Sequence, residues 1–239
     1  MRLLLVGNSH LGPVSGAFMK DIPGDIKVDV FAIPDGCGPR ININDNGSLE
    51  PCAGRAITNM DNALPNLHDY DAIVVSSAGI HAARNNSPHP LKEGILTGLS
   101  PTADAIRSQR PISQSLFEGC VSSTLSSTGS VRLIKSLSAQ FRGKLLVQIC
   151  PLPAESVRND QRWFYWDYYS SLDAWKYFIE LQHQYLGKLC EETGAILLPH
   201  PVSGALEELF NPAVYSSKDP FHMNQEYGEL VKEQILQYL

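Results

Sequence analysis

A serine hydroxyl that could act as a nucleophile stands close to the N-terminus, within the tetrapeptide Gly7–His10. The preceding run Arg2–Gly7 is short, apolar and ends in glycine, which is typical of a buried strand. A serine between such a strand and a following helix lies at the carboxyl edge of a parallel sheet. There its hydroxyl can face a cleft, and neighbouring N–H groups can stabilise an oxyanion. Ser9 could equally cap the next helix, and its segment is not the Gly-x-Ser-x-Gly elbow of α/β-hydrolases.

An acid–base pair stands close to the C-terminus, where Asp219, His222 and Asn224 precede the last predicted helix. An aspartate three residues before a histidine in a tight turn can accept a hydrogen bond from Nδ1. That bond leaves Nε2 free to take a proton from a serine hydroxyl. The alternative is that Asp219 or Asn224 caps the helix while His222 lies idle on the surface. An Asp-x-x-His motif alone occurs by chance in many chains, so its value here comes from its combination with Ser9.

Five short apolar runs alternate with helical patterns, and this alternation predicts where the Ser9 segment and the Asp219–His222 segment lie in the fold. The predicted strands are 2–7, 26–33, 72–75, 144–149 and 195–198, and the predicted helices are 12–20, 113–141, 172–193 and 224–239. This alternation predicts an α/β fold with three layers (α/β/α) around a five-stranded, mostly parallel, doubly wound, flavodoxin-like sheet. Because no linker or repeat interrupts the pattern, residues 1–239 are expected to form a single domain. The long polar segments 36–66 and 84–110 follow strand ends, where ligands bind.

The strand-one serine, the Asp-x-x-His block and the parallel strands between them resemble the SGNH (GDSL-like) hydrolase superfamily. In that family the nucleophile lies in an N-terminal GDS-type block and the Asp and His precede the last helix. Val6–Ser9 and Asp219–Asn224 match these two blocks. The resemblance implies that Ser9 is the nucleophile, His222 the general base and Asp219 its partner. It also implies an oxyanion hole built from the backbone N–H groups of Ser9 and Gly36, with Gly38 as the alternative glycine, and from a third-strand side chain.

The third-strand block departs from the family pattern. A family member typically has Gly-x-Asn, whereas this chain has Gly79-Ile80-His81. His81 can donate through an N–H in place of the asparagine amide, or Asn85 or Asn86 could enter the site instead. Because removing one oxyanion donor costs about 10²–10³ in kcat, this departure favours a weak, altered or lost activity. Asn8 replaces the usual aspartate and is a second, milder departure.

Further candidates for substrate binding are Asn8, His10 and Gly79, because they flank the predicted catalytic segments, although packing is the alternative role for His10. The aromatic segment 162–169 contributes Trp163 and Trp166, which could stack on a sugar ring or an acyl chain. The alternatives for that segment are a hydrophobic anchor for an irregular loop and an oligomer contact.

Composition narrows the possible partners and cofactors. The net charge is −6 and the basic residues are scattered, which argues against a nucleic-acid or anionic-membrane partner. The five cysteines show no zinc-type spacing, so reduced thiols, no metal and no cofactor are expected. The apolar run Leu3–Val6 is too short for a signal-peptide core and no stretch is long enough for a membrane span, which together favour a cytoplasmic location.

The sequence therefore predicts a serine ester hydrolase that cleaves a small acyl ester through an acyl-enzyme, with carbohydrate O-acetyl groups as a candidate substrate. Acyl transfer to an alcohol would use the same residues. A carbohydrate- or metabolite-binding protein without turnover would keep the same fold. A flavodoxin-like nucleotide binder is disfavoured because the first strand–helix turn lacks a Gly-x-Gly-x-x-Gly or P-loop run.

Overall fold

The structure is a computed structural model, which describes residues 1–22, 24–33, 40–52, 56–60, 64–80, 94–96, 110–159 and 172–239. Its main sheet has the strand order β10-β9-β6-β1-β2-β5. The six strands are β1 (Arg2–Gly7), β2 (Lys27–Ala32), β5 (Ile57–Thr58), β6 (Ala72–Ala78), β9 (Lys144–Ile149) and β10 (Ile196–Leu197).

Five of these strands are parallel, and their order is that of flavodoxin-like sheets, 2-1-3-4-5. The predicted fold class is thereby confirmed, although the predicted strand number was one too low. The sixth strand, β5, pairs antiparallel with β2 at the edge of the sheet. Its two residues are too few to produce a periodic signal in the sequence.

One small sheet lies within the predicted long loop 36–66, and a second begins within the predicted loop 84–110 and extends two residues past its end. The first pairs β3 (Ile41–Ile43) antiparallel with β4 (Leu49–Pro51). The second pairs β7 (Gly94–Leu96) parallel with β8 (Arg110–Ile112). Both segments thus carry short elements of their own, as segments of this length in a compact protein commonly do.

The α-helices are α1 (Leu11–Lys20), α2 (Gln114–Ser127), α3 (Gly129–Gln140), α4 (Leu172–Thr193), α5 (Ala205–Glu208) and α6 (Gln225–Tyr238). The single helix predicted over 113–141 was wrong, because it is two helices. Thr128 separates them in an extended conformation, with φ −65° and ψ 147°. Its hydroxyl accepts a hydrogen bond from the Val131 N–H (3.3 Å) and so caps α3.

Alternate side chains of the central strand β1 face the two helical layers. Leu3 and Leu5 are fully buried in the cluster that contains α1 and α6, and Leu4 and Val6 are fully buried in the cluster that contains α3. Burial on both faces explains why this strand is a continuous apolar run without polar alternation. None of the helices in the described ranges is both long and apolar enough to cross a membrane.

Helix α1, which follows β1, packs on one face of the sheet, and α3, the second of the two helices between β6 and β9, packs on the other face. Helix α2 contributes to the same cluster as α1. The change of face between α1 and α3 opens a crevice at the carboxyl edge between the adjacent strands β1 and β6, which is where ligands bind in open α/β sheets. Ser9 follows β1 and Gly79 follows β6, so both lie at this edge.

Candidate active site

Ser9 lies in a tight turn that the flanking residues hold in place. The Asn8 side-chain oxygen accepts a hydrogen bond from the His10 N–H (3.0 Å), and the Asn8 carbonyl accepts one from the Leu11 N–H (3.0 Å). Asn8 and His10 are buried, whereas Ser9 between them is exposed. Within the described residues, the N–H of Ser9 donates to no protein acceptor. The turn therefore presents the Ser9 hydroxyl and the Ser9 backbone N–H at the carboxyl edge of the sheet.

Asp219 and His222 form a second turn that ends just before α6. One Asp219 carboxylate oxygen, Oδ1, accepts the N–H groups of Phe221 (2.8 Å) and His222 (2.9 Å). The other, Oδ2, lies 2.8 Å from His222 Nδ1. Asn224 follows as the N-cap of α6, since its side chain accepts the Tyr227 N–H (3.1 Å). Helix capping is thus carried by Asn224, and the Asp219 carboxylate is directed to the imidazole.

The Asp219 carboxyl is held in its ionised form. Burial alone would raise its pKa, but the hydrogen bonds from the His222 backbone N–H, the imidazole and the Phe221 N–H outweigh that effect, so the pKa lies below its usual value. An ionised carboxylate at Nδ1 fixes the tautomer that carries its proton there. The lone pair of Nε2 is then available to accept a proton.

The two turns meet across 213 positions of sequence, with 3.4 Å between Ser9 Oγ and His222 Nε2. A general base usually lies within about 2.6–3.2 Å of the atom whose proton it takes, so this distance is long for a hydrogen bond. Such contacts are often longer before substrate binds. Ser9, His222 and Asp219 therefore form a continuous chain of polar contacts at the carboxyl edge of the sheet. Their catalytic roles stay predictions.

His10 packs against the imidazole of His222. The two rings are stacked, with centroids 4.8 Å apart and an interplanar angle of 14°. Because His10 is 8% exposed, its ring is a fixed surface that defines the plane of the His222 ring. The structure thus shows the packing role that was the alternative for His10, and a contact between this residue and substrate stays a prediction.

The end of β6 leaves regular strand geometry beside the site. The pairing between β6 and β9 shifts register between Val75 and Ala78, and the buried Ser77 adopts the left-handed conformation with φ 62°. Gly79 follows with φ 107°, a conformation that L side chains rarely adopt. This strained turn directs the chain out of the sheet immediately before His81.

Two side chains from distant helices hold that turn. The Gly79 N–H donates to Ser130 Oγ (3.2 Å), and the Ile80 N–H donates to Gln182 Oε1 (2.6 Å). Both N–H groups are therefore already used and are not available to an oxyanion. Sequence reasoning missed Ser130 and Gln182, and no local pattern could have found them, because they act from α3 and α4 across 51 and 102 positions of sequence.

Several predicted site residues lie outside the described residues. They are the oxyanion candidates Gly36 and His81, the alternatives Gly38, Asn85 and Asn86, and the aromatic candidates Trp163 and Trp166. Their roles stay predictions, as do substrate contacts for Asn8 and Gly79. In the part of the chain that the structure does describe, no group of three or more His, Cys, Asp or Glu side chains has the arrangement of a metal site.

No family model matches the sequence, and no curated protein matches it. Solved structures are similar to it over almost its whole length. A protein assigned as an acylhydrolase from Bacteroides fragilis is 15% identical, with a TM-score of 0.43 over 99% of this chain and 85% of that one. A GDSL-like lipase from Bacteroides thetaiotaomicron is 11% identical, with a TM-score of 0.42 over 99% and 86%.

An acetylxylan esterase from Geobacillus stearothermophilus is 11% identical, with a TM-score of 0.41 over 99% of this chain and 92% of that one. At this identity the similarity concerns the fold alone, and the chemistry of the site is argued from this chain's own residues.

Proposed function

We propose that this chain is a serine ester hydrolase in which Ser9 is the nucleophile, His222 the general base and Asp219 the residue that orients the imidazole. The observation that carries the proposal is the contact chain from Ser9 Oγ to His222 Nε2 (3.4 Å) and from His222 Nδ1 to Asp219 Oδ2 (2.8 Å). Nucleophile, base and orienting carboxylate in this order are the arrangement that activates a serine hydroxyl.

The proposed reaction has two stages. In the first, Ser9 Oγ attacks the ester carbonyl while its proton passes to His222 Nε2, and the alcohol then leaves with that proton. In the second, water attacks the acyl-enzyme, His222 takes the water proton, and collapse releases the acid and returns the proton to Ser9 Oγ. Asp219 stays ionised throughout and stabilises the imidazolium that forms in each stage.

The oxyanion would be stabilised by backbone and side-chain donors at the sheet edge. The N–H of Ser9 is suited to this role because it has no acceptor within the described residues. We propose Gly36 and His81 as the other donors. The substrate proposed is a small acyl ester such as a carbohydrate O-acetyl group, with Trp163 and Trp166 as residues on which a sugar could stack.

The test uses two serines that are close in sequence. Ser9→Ala is expected to abolish hydrolysis of p-nitrophenyl acetate and labelling by a fluorophosphonate probe, because the attacking oxygen is gone. Ser15→Ala is the matched control, since the Ser15 hydroxyl lies in α1 and donates to the Gly12 carbonyl (3.0 Å). This control should keep both signals. Labelling that persists in Ser9→Ala would remove Ser9 as the nucleophile.

A ligand-binding protein without turnover is the second candidate function. It is favoured by the third-strand block, where the N–H groups of Gly79 and Ile80 already donate to protein side chains. In this case the wild-type protein would not hydrolyse p-nitrophenyl acetate and would not be labelled. Acyl transfer uses the same residues as hydrolysis and is distinguished by product analysis with an added alcohol acceptor.

A further inference from the structure

Each half of the proposed Ser9–His222 pair is attached to the start of a different helix. Ser9 stands two residues before α1, which begins at Leu11, and His222 stands three residues before α6, which begins at Gln225. The two helices pack against each other on the same face of the sheet. Their separation therefore determines how far the hydroxyl lies from the imidazole.

Two glycines stand at the contact between these helices: Gly228 in the first turn of α6 and Gly16 in the middle of α1. A Cβ on Gly228 of α6 would lie 2.2 Å from the Pro13 carbonyl oxygen, 2.5 Å from its carbon and 3.1 Å from the Val14 nitrogen. A Cβ on Gly16 of α1 would lie 2.6 Å from Gln225 Oε1. At Gly228 the obstacle is the backbone of the partner helix, which cannot turn aside as a side chain can.

Helix formation does not account for a glycine at position 228. A glycine inside a helix is roughly 1 kcal/mol less favourable than alanine, and Gly228 lies in the first turns of the 14-residue α6. What glycine provides there is close approach of two backbones. The neighbouring side chains Val14, Tyr227 and Val231 are all buried, so the contact lies within packed core.

A second contact joins the middle of α6 to the C-terminal part of α1. The buried Lys232 Nζ donates to the Ala17 carbonyl (3.2 Å) and lies 3.8 Å from an Asp21 carboxylate oxygen. These two contacts limit how far α1 and α6 can shift relative to each other. A side chain inserted at Gly228 would have to move the two helix N-termini apart.

We propose that Gly228 is a positioning residue whose missing side chain sets the distance between Ser9 Oγ and His222 Nε2. The inference rests on the proposed function. The pair Asp219–His222 is contained in one turn ahead of α6 and moves with that helix, whereas Ser9 moves with α1. Separation of the helices would therefore lengthen the Ser9–His222 contact and leave the Asp219–His222 bond intact. Since that contact is already 3.4 Å, a shift of a few tenths of an ångström impairs proton transfer.

The experiment compares Gly228→Ala with Gly12→Ala, in the wild-type background and with p-nitrophenyl acetate as the probe. A Cβ on Gly12 meets no atom within 4 Å, so this variant is the control for an alanine placed in the same helix pair. Gly228→Ala is expected to lower kcat/KM about 10–100-fold, the effect of a misplacement on the order of 1 Å. This ratio reports the first stage of the reaction, in which the Ser9 proton passes to His222 Nε2.

A proton NMR measurement separates misplacement from general loss of structure. The downfield resonance of the proton between His222 Nδ1 and Asp219 should persist in Gly228→Ala, because both residues move together. A kcat/KM equal to that of wild type would overturn the proposal, as would loss of the resonance in step with kcat/KM. If Gly228→Ala fails to fold, Gly16→Val is compared with the double variant Gly16→Val/Gln225→Ala, because a Cβ at Gly16 would lie 2.6 Å from Gln225 Oε1. Recovery of kcat/KM on removal of the Gln225 side chain would support the proposal, and equal kcat/KM in the two variants would refute it.

Failure of the proposed function would look different. In that case wild-type protein would show no turnover that depends on Ser9. If instead Ser9→Ala is inactive while Gly228→Ala equals wild type, the hydrolase assignment stands and only the spacing role of Gly228 is lost.

Discussion

Gly79→Ala is expected to destabilise the fold at the turn that precedes the predicted third oxyanion donor. Two separate costs follow from the structure. The first is conformational, because φ at this position is 107° and an L residue held in such a region costs about 1–3 kcal/mol. The second is steric, because the new Cβ would lie 2.6 Å from Gln182 Oε1 and 2.9 Å from Gln182 Cδ.

The steric cost can be assigned a magnitude because Gln182 Oε1 is not free to move. It accepts the N–H of the buried Ile80 at 2.6 Å. If the side chain turns away from the new methyl group, that N–H is left buried without an acceptor, which costs about 1–3 kcal/mol. The sum predicts a loss of about 2–6 kcal/mol in the free energy of unfolding.

Urea unfolding of four proteins tests this reasoning: wild type, Gly79→Ala, Gln182→Ala and the double variant. Removing Gln182 first removes the clash, so Gly79→Ala in that background should cost only the conformational part. The double variant is then more stable than the sum of the single changes predicts by about 1–3 kcal/mol, as expected for residues in direct contact. Gly119→Ala is the control, since a Cβ on this exposed helical glycine of α2 meets no atom within 4 Å.

Strict additivity of the two single changes would refute the argument from the Gln182 contact. A cost for Gly79→Ala as small as that of Gly119→Ala would refute the conformational argument too. Loss of hydrolysis in a Gly79→Ala protein that remains folded would connect the geometry of this turn to the site.

Two further predictions concern charge. Asp219→Asn should lower kcat by about 10³–10⁴ without unfolding the protein. The asparagine carbonyl can still accept the Phe221 and His222 N–H groups, but its NH₂ group forces the wrong imidazole tautomer. Steady-state kinetics and a thermal melt test this, and near-wild-type turnover would contradict the orienting role. Burial, with a smaller contribution from the charge of His183, lowers the pKa of His200 to about 4, against the opposing effect of its hydrogen bond with the Val202 backbone. Because the unfolded chain protonates this group first, stability should fall as the pH drops from about 6.5 to about 4, by about 2 kcal/mol between pH 7 and pH 5. Urea unfolding of wild type and His200→Asn at both pH values tests this, and an equal pH dependence in the two proteins would count against it.

Several features of this protein could be predicted from local sequence. The continuous apolar run of β1 predicted a buried strand because a strand covered on both faces needs no polar alternation. Helix α4 was predicted with its observed bounds, Leu172–Thr193, since a long amphipathic pattern is the strongest local signal. The residue types at Ser9, Asp219 and His222 indicated their possible chemistry, because the reactivity of a group is a property of its side chain. That residues 1–239 form a single domain stays a prediction.

Other features depend on contacts that no local pattern encodes. The break at Thr128 and the two-residue strand β5 carry no periodic signal. The distance from Ser9 Oγ to His222 Nε2 spans 213 positions of sequence and is set by how α1 and α6 pack. The clamp of Gln182 on Ile80 spans 102 positions. Residue types therefore indicate which groups can react, but whether those groups come together depends on the packed fold, because distances between remote residues follow from side-chain packing and not from residue type.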